Sequence, residues 1–154
     1  MKYSRERGIS LLEIMLVLVV AAGIIIAASR YFTVTRLNQQ VNEAATMINN
    51  VYVAALQYSN NNDLSTINIS TLINGGSLPA DFDNSEANPW SGSISAAGAG
   101  NVLTVTLSNV PEKACANLTA RFSSPTSSSA VCNPNSGAIR SFIVTFNLGV
   151  NTSS

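Results

Sequence analysis

Gly8-Ile9-Ser10-Leu11-Leu12-Glu13, followed by residues 14–28 (Ile-Met-Leu-Val-Leu-Val-Val-Ala-Ala-Gly-Ile-Ile-Ile-Ala-Ala), is the stretch from which the rest of the chain is read. The fifteen residues 14–28 carry no charge. Counted from Ile9 the segment reaches about 20 residues, enough for a helix to cross a bilayer. One carboxylate, Glu13, interrupts it. An ionisable side chain in a membrane costs on the order of 2.5–3.5 kcal/mol on insertion scales, so its presence marks a candidate functional group.

The residues ahead of the segment set its orientation. Lys2, Arg5 and Arg7 stand against one acid, Glu6, which keeps the N-terminus on the cytoplasmic side and sends the rest of the chain across. A cleavable secretory signal is the competing reading, with Ala27, Ala28 and Ser29 as its small-residue site. The apolar run is longer than the core of such a signal, and Glu13 is out of place in one. No cysteine lies near the run to anchor a lipid, and Glu6 separates the two arginines, so no twin-arginine signal is present.

Composition narrows the function classes. The chain has 154 residues, a formal net charge of zero and 10% charged residues, which suits one compact domain beside the apolar segment. Beyond the N-terminus no lysine–arginine cluster offers the basic surface that nucleic-acid binding needs, so no nucleic-acid partner is expected. Histidine is absent, which removes the usual general base and metal ligand, and two cysteines alone do not build a zinc site. No glycine-rich phosphate loop and no G-x-S-x-G elbow occurs. Lys113 has no Ser-x-x-Lys around it. No enzyme activity, cofactor or metal is expected. Asp81, Asp83 and Glu86 lack calcium-loop spacing and read as a solvated loop. Three glycosylation sequons, beginning at Asn68, Asn117 and Asn151, read as chance in an Asn- and Ser-rich chain. If the domain is exported, Cys115 and Cys132 are expected to pair, a link worth about 3 kcal/mol in the chain-entropy model. In a cytosolic domain they would remain two buried thiols.

Helical periodicity continues past the apolar run. Val34, Leu37, Val41, Ala44, Ile48, Val51, Ala55 and Tyr58 recur at spacings of three and four, with polar residues between them. No proline occurs from Ile9 to Tyr58, so one helix of about 50 residues and about 75 Å is predicted, apolar all round in its first half and amphipathic in its second. Gly23 costs it about 1 kcal/mol relative to alanine. Asn60-Asn61-Asn62-Asp63 ends it. The seam also fits a coiled-coil dimer, although its alanines suit close packing on a sheet equally well. Residues 67–73 fit a short helix or a strand. Residues 102–107 and 142–148 alternate and are β-branched, and predict strands. Residues 93–95 are a weaker strand joined to the first by a hairpin connection. Residues 109–115 read as the start of a short helix, and 123–129 as a polar loop. A long helix followed by strands is an α+β pattern.

The segment Gly8-Ile9-Ser10-Leu11-Leu12-Glu13-Ile14-Met15-Leu16-Val17 resembles a type IV prepilin, with a basic leader ending in glycine, a cleavage point, and glutamate at the fifth mature position. The resemblance implies a leader peptide at 1–8, a transmembrane and filament-core helix at 9–30, and a globular head at 31–154 that includes the amphipathic half of the helix. The head is then a small antiparallel sheet with one disulfide. It further implies cleavage between Gly8 and Ile9 by a prepilin peptidase, N-methylation of Ile9, and pairing of Glu13 with the new amine during assembly. Leu78-Pro79, Asn88-Pro89-Trp90-Ser91-Gly92, Val110-Pro111 and Ala114-Cys115 through Leu118 resemble type IVb pilins of thin pili, in which a cysteine pair bounds a C-terminal region. Ser91 stands where those proteins have a glycine. The implied partners are other copies in a helical homopolymer, the peptidase, the inner-membrane pilus assembly platform, and the membrane before assembly. The implied location is the bacterial inner membrane, then an extracellular pilus. A type II secretion pseudopilin, a minor pilin, and a signal-anchored periplasmic binding domain are the alternatives.

Overall fold

With no proline to interrupt it, helix α1 runs Leu11–Ser59, 49 residues. A computed structural model describes residues 10–60, 63–83, 87–123 and 127–149. The chain forms two compact units, Met1–Leu37 and Asn38–Ser154, and α1 contributes to both. In the first unit the helix begins with the Glu13 and Ile14 amides donating to the Ser10 carbonyl at 2.9 and 3.2 Å. Its large apolar side chains from Leu11 to Val34 are exposed all round.

In the second unit α1 buries Val41, Ala44, Ala45, Ile48, Val51, Ala54, Ala55 and Ser59. This is the expected seam, widened by Ala45 and Ala54, and it begins later than the periodicity implied. Val34 is exposed, and Leu37 and Tyr58 are only half-buried. The alanines let the helix approach what it covers: four antiparallel strands in the order β1-β2-β4-β3, with β1 at Ile94–Ala99, β2 at Val102–Pro111, β3 at Ser127–Ser136 and β4 at Ile139–Asn147. Alternate residues face the helix, as a period of two requires. Leu103, Val105 and Leu107 of β2 lie opposite Phe146, Val144 and Phe142 of β4, and all six are buried. Tyr52 of α1 sits on Phe146 with ring centroids 4.7 Å apart. This seam is therefore a helix-on-sheet surface.

Helix α3, Glu112–Phe122, packs on the same face. Its Phe122 lies 6.0 Å from Phe142 and 6.1 Å from Phe146, centroid to centroid. Its first turn carries Glu112, which pairs with Arg140 of β4 at 2.7 Å. Arg121, in its last turn, donates to the Asn42 side chain of α1 at 2.6 Å.

Two segments resolve what periodicity left open. Residues 67–73 fall mainly in a short helix, α2 at Ile69–Asn74. A reciprocal cap begins it, in which Asn68 Oδ1 accepts from the Thr71 amide at 2.7 Å and Thr71 Oγ1 from the Asn68 amide at 2.9 Å. Ahead of it Asp63 caps the 3-10 turn Leu64–Thr66, and the Ser65 backbone amide and hydroxyl hold its carboxyl below the ordinary value. The second segment differs from expectation: the polar loop at 123–129 gives way to β3 from Ser127, while 124–126 lie outside the described residues. Ser127–Ser136 is too polar to signal a strand. It is made one by pairing with β4, and its Pro134 is tolerated because β3 is an edge strand.

Candidate functional site

Among the described residues of the first unit, α1 presents an apolar surface with a single carboxylate, Glu13. Leu11 and Leu12 are each 74% exposed, Ile14 49% and Ile26 59%. Full burial of one such side chain is worth about 1.5–3 kcal/mol, so this surface carries a large unspent drive to leave water. It holds the one helix of the described residues long and apolar enough to cross a membrane, with a mean hydropathy of 2.8 over its most apolar window. Glu13 lies in the first turn and shares one side of the helix with Ile14, Val17 and Leu18. The helix brings a carboxylate to an otherwise apolar face one turn after Ser10. Gly8 and Ile9, the expected cleavage pair and methylation site, lie outside the described residues.

In the second unit the loop Asn88-Pro89-Trp90-Ser91-Gly92 holds a dense polar arrangement. Asn88 is buried at 3% exposure. Its Oδ1 accepts from the amides of Trp90 at 2.9 Å and Gly92 at 3.0 Å. Its Nδ2 donates to the carbonyls of Ser108 at 2.6 Å and Ser93 at 3.3 Å. The backbone closes the loop, since the Asn88 amide donates to the Gly92 carbonyl at 2.8 Å. Ser108 lies where the β2–β4 register shifts between Leu107 and Val110, and the neighbouring Asn109 donates from Nδ2 to the Ser91 carbonyl at 3.2 Å. Loop and bulge thus brace each other. Gly92 is required for the approach, because a Cβ there would collide with the Ser108 carbonyl. Gln40 of α1 donates to the Pro89 carbonyl at 3.0 Å, so the loop also fastens the helix. The Trp90 Nε1 is buried with no partner, and the indole contributes through packing.

Ser91 has φ 55°, a left-handed conformation that costs a non-glycine residue roughly 1–2 kcal/mol. The Ser91 amide and carbonyl carry its bonds to Asn88 and Asn109, and glycine would keep both. Ser91→Gly is therefore expected to stabilise the head by about 0.5–1 kcal/mol after glycine's greater unfolded-state freedom is counted. An unchanged or lower urea midpoint at constant slope would refute this.

Cys115 of α3 and Cys132 of β3 form a disulfide, with Cα atoms 6.0 Å apart. Cys115 is buried at 1% exposure, and Thr119 Oγ1 lies 3.2 Å from the Cys132 sulfur. Asp81 and Asp83 are exposed in the 3-10 turn Ala80–Asp83, with Ser70 Oγ donating to Asp83 at 3.4 Å. Glu86 lies outside the described residues. The organising role of the Asn88 side chain, the Gln40 bond and the Asn42–Arg121 link lie outside the expectations drawn from the sequence. Asn-Pro-Trp at 88–90 was the available signal, because asparagine before proline marks a turn.

A family model described as PilS N terminal matches residues 34–137, well over half of the chain. The match begins downstream of the apolar run and so rests on the head and the amphipathic half of α1. No curated protein and no solved structure matches.

Proposed function

The chain belongs to the PilS N-terminal family, a type IV pilin-related family of structural subunits, and from that premise we propose that it is the major subunit of a type IV pilus. The observation that carries the proposal is the exposed apolar half of α1, which bears one carboxylate and is continuous with the helix that packs on the head sheet. Such a surface needs lipid before assembly and neighbouring copies after it. A prepilin peptidase on the cytoplasmic face cuts between Gly8 and Ile9 and methylates the new amine. The assembly platform then passes the subunit from the inner membrane into the extracellular filament. In the apolar filament core an unpaired charge is strongly unfavourable, whereas a well-paired one is tolerated. Glu13 pairs with the Ile9 amine of a neighbouring copy and sets axial register, while residues 14–28 supply cohesion. The position of the Asn88 loop immediately before β1, with the cysteine pair beyond it, supports the type IVb subclass.

Electron microscopy of sheared cell-surface material tests the central claim. Long filaments made chiefly of this chain are expected. Filaments in which it is a trace component would make it a minor pilin, and its absence from surface filaments would favour a pseudopilin. Gly8→Val is expected to abolish N-terminal processing, so a mature protein that still begins at Ile9 removes the cleavage assignment. Glu13→Leu is expected to lower filament yield at least tenfold with the protein still present in the membrane. Parental yield would end the register role of the carboxylate.

A further inference from the structure

Helix α1 changes character over residues 29–36, still within the first unit. The stretch reads Ser-Arg-Tyr-Phe-Thr-Val-Thr-Arg. Tyr31 is 76% and Phe32 68% exposed, and both arginines are exposed. The aliphatic hydroxyls of the stretch, on Ser29, Thr33 and Thr35, are turned onto the helix. Ser29 Oγ donates to the Ile25 carbonyl at 2.6 Å, Thr33 Oγ1 to Ser29 at 3.0 Å and Thr35 Oγ1 to Tyr31 at 3.0 Å. From residue 14 to residue 42 Arg30 and Arg36 are the only charges and no acid occurs. At 1.5 Å per residue, Arg30 lies about 28 Å along the axis from Leu11, close to one hydrocarbon thickness.

We propose that residues 29–36 are an interfacial belt that docks on the outer-leaflet headgroups of the membrane, with Arg30 and Arg36 binding lipid phosphate and Tyr31 and Phe32 seated at the hydrocarbon boundary. The proposal rests on the reading of residues 14–28 as a membrane span and adds a specific lipid contact to it. Charge complementarity selects the occupant: two guanidiniums with no neighbouring acid match phosphodiesters, and guanidinium presents paired donors to them. An exposed tyrosine next to a membrane-length apolar run belongs at the headgroup level, where its apolar ring and polar hydroxyl are both accommodated, and the wholly apolar ring of Phe32 beside it takes the hydrocarbon side of that boundary. Hydroxyls already bonded to helix carbonyls lower the cost of placing that turn in a partly dehydrated layer.

The test uses the full chain in vesicles of phosphatidylcholine with phosphatidylglycerol, with lipids brominated near the headgroup or near the chain end. Trp90→Phe removes the native fluorophore without removing a hydrogen bond, because the indole N–H makes none. In that background Tyr31→Trp reports on the belt and Val20→Trp on the middle of the span. The belt probe is expected to be quenched most by shallow bromines and the span probe by deep ones. Phosphatidylglycerol is expected to be preferred over phosphatidylcholine at the belt by about five-fold, falling to about one in Arg30→Gln/Arg36→Gln. Deep quenching of the belt probe, or no lipid quenching of it while the span probe is quenched, overturns the belt and leaves the span intact. A blue-shifted but unquenched belt probe means that protein covers this face, which also overturns it. Loss of quenching at both positions overturns the span reading and the belt together. An unchanged lipid preference in the double arginine variant overturns the phosphate contact.

Discussion

Asn88→Ala is expected to destabilise the head by about 3–4 kcal/mol, because it removes four hydrogen bonds made by one buried amide and leaves their partners unsatisfied. The amides of Trp90 and Gly92 lose their acceptor, and the carbonyl of Ser108 loses its 2.6 Å donor. These groups sit behind a 3%-exposed side chain, where water reaches them only if the loop opens. Opening would also release the Gln40–Pro89 contact with α1, so helix and sheet lose a fastening together. Urea unfolding in detergent, followed through near-ultraviolet circular dichroism, measures the loss. Asn88→Asp separates the two halves of the amide: it keeps the acceptor for Trp90 and Gly92 and discards the donor to Ser108. Its loss should approach that of alanine at neutral pH and be smaller at low pH, where a protonated carboxyl can donate again. A loss under about 1 kcal/mol for Asn88→Ala would mean that the loop is organised by its backbone alone.

Removing the disulfide has the second large effect. The linked cysteines are 17 residues apart, and constraint of that loop in the unfolded chain is worth about 3 kcal/mol. Alanine is the suitable replacement, because a serine at the buried Cys115 position would add an unmet hydroxyl. Cys115→Ala/Cys132→Ala should lower stability by about that amount. It should also act unevenly. Strand β3 has one neighbour in the sheet, β4, and exposes even its Val131, so the bond to α3 is a major tertiary restraint on it. Amide exchange at Ala130 and at position 132 should speed up relative to Val105 in the central strand β2. Retained β3 protection with a loss below 1 kcal/mol would show that pairing with β4 suffices.

The elements legible in the linear chain are those whose signal is local. A proline-free run with an apolar first half and a seam of spacing three and four describes α1, and its end at Ser59 follows from the asparagine run just beyond. The alternating residues in β2 and β4 described two central strands, because both bury one face. Strand β3 was illegible for the converse reason: a polar edge strand has no period of its own and exists through its partner. Helix α2 was ambiguous because seven residues with four apolar positions fit either state, and the Asn68–Thr71 cap that decides it begins at an asparagine that read as the start of a chance sequon. Where the seam begins was likewise hidden. Val34 and Val41 share its spacing, yet Val41 is buried and Val34 is exposed.

Glu13 and the cysteines stood out as residue types in unusual settings, a charge in an apolar run and two thiols in a chain with export features. Asn88 did not, since Asn-Pro marks a turn in the linear chain but not the four backbone groups that converge on the side chain. Covalent order thus specified the long helix, its uncovered apolar surface and the lone carboxylate, because these depend on neighbours within a turn or two. The meeting of the Asn88 loop with the β2 bulge, the recruitment of β3 and the choice of sheet over coiled coil depended on groups far apart in the chain. Their energies arise only when folding removes water from all of them at once.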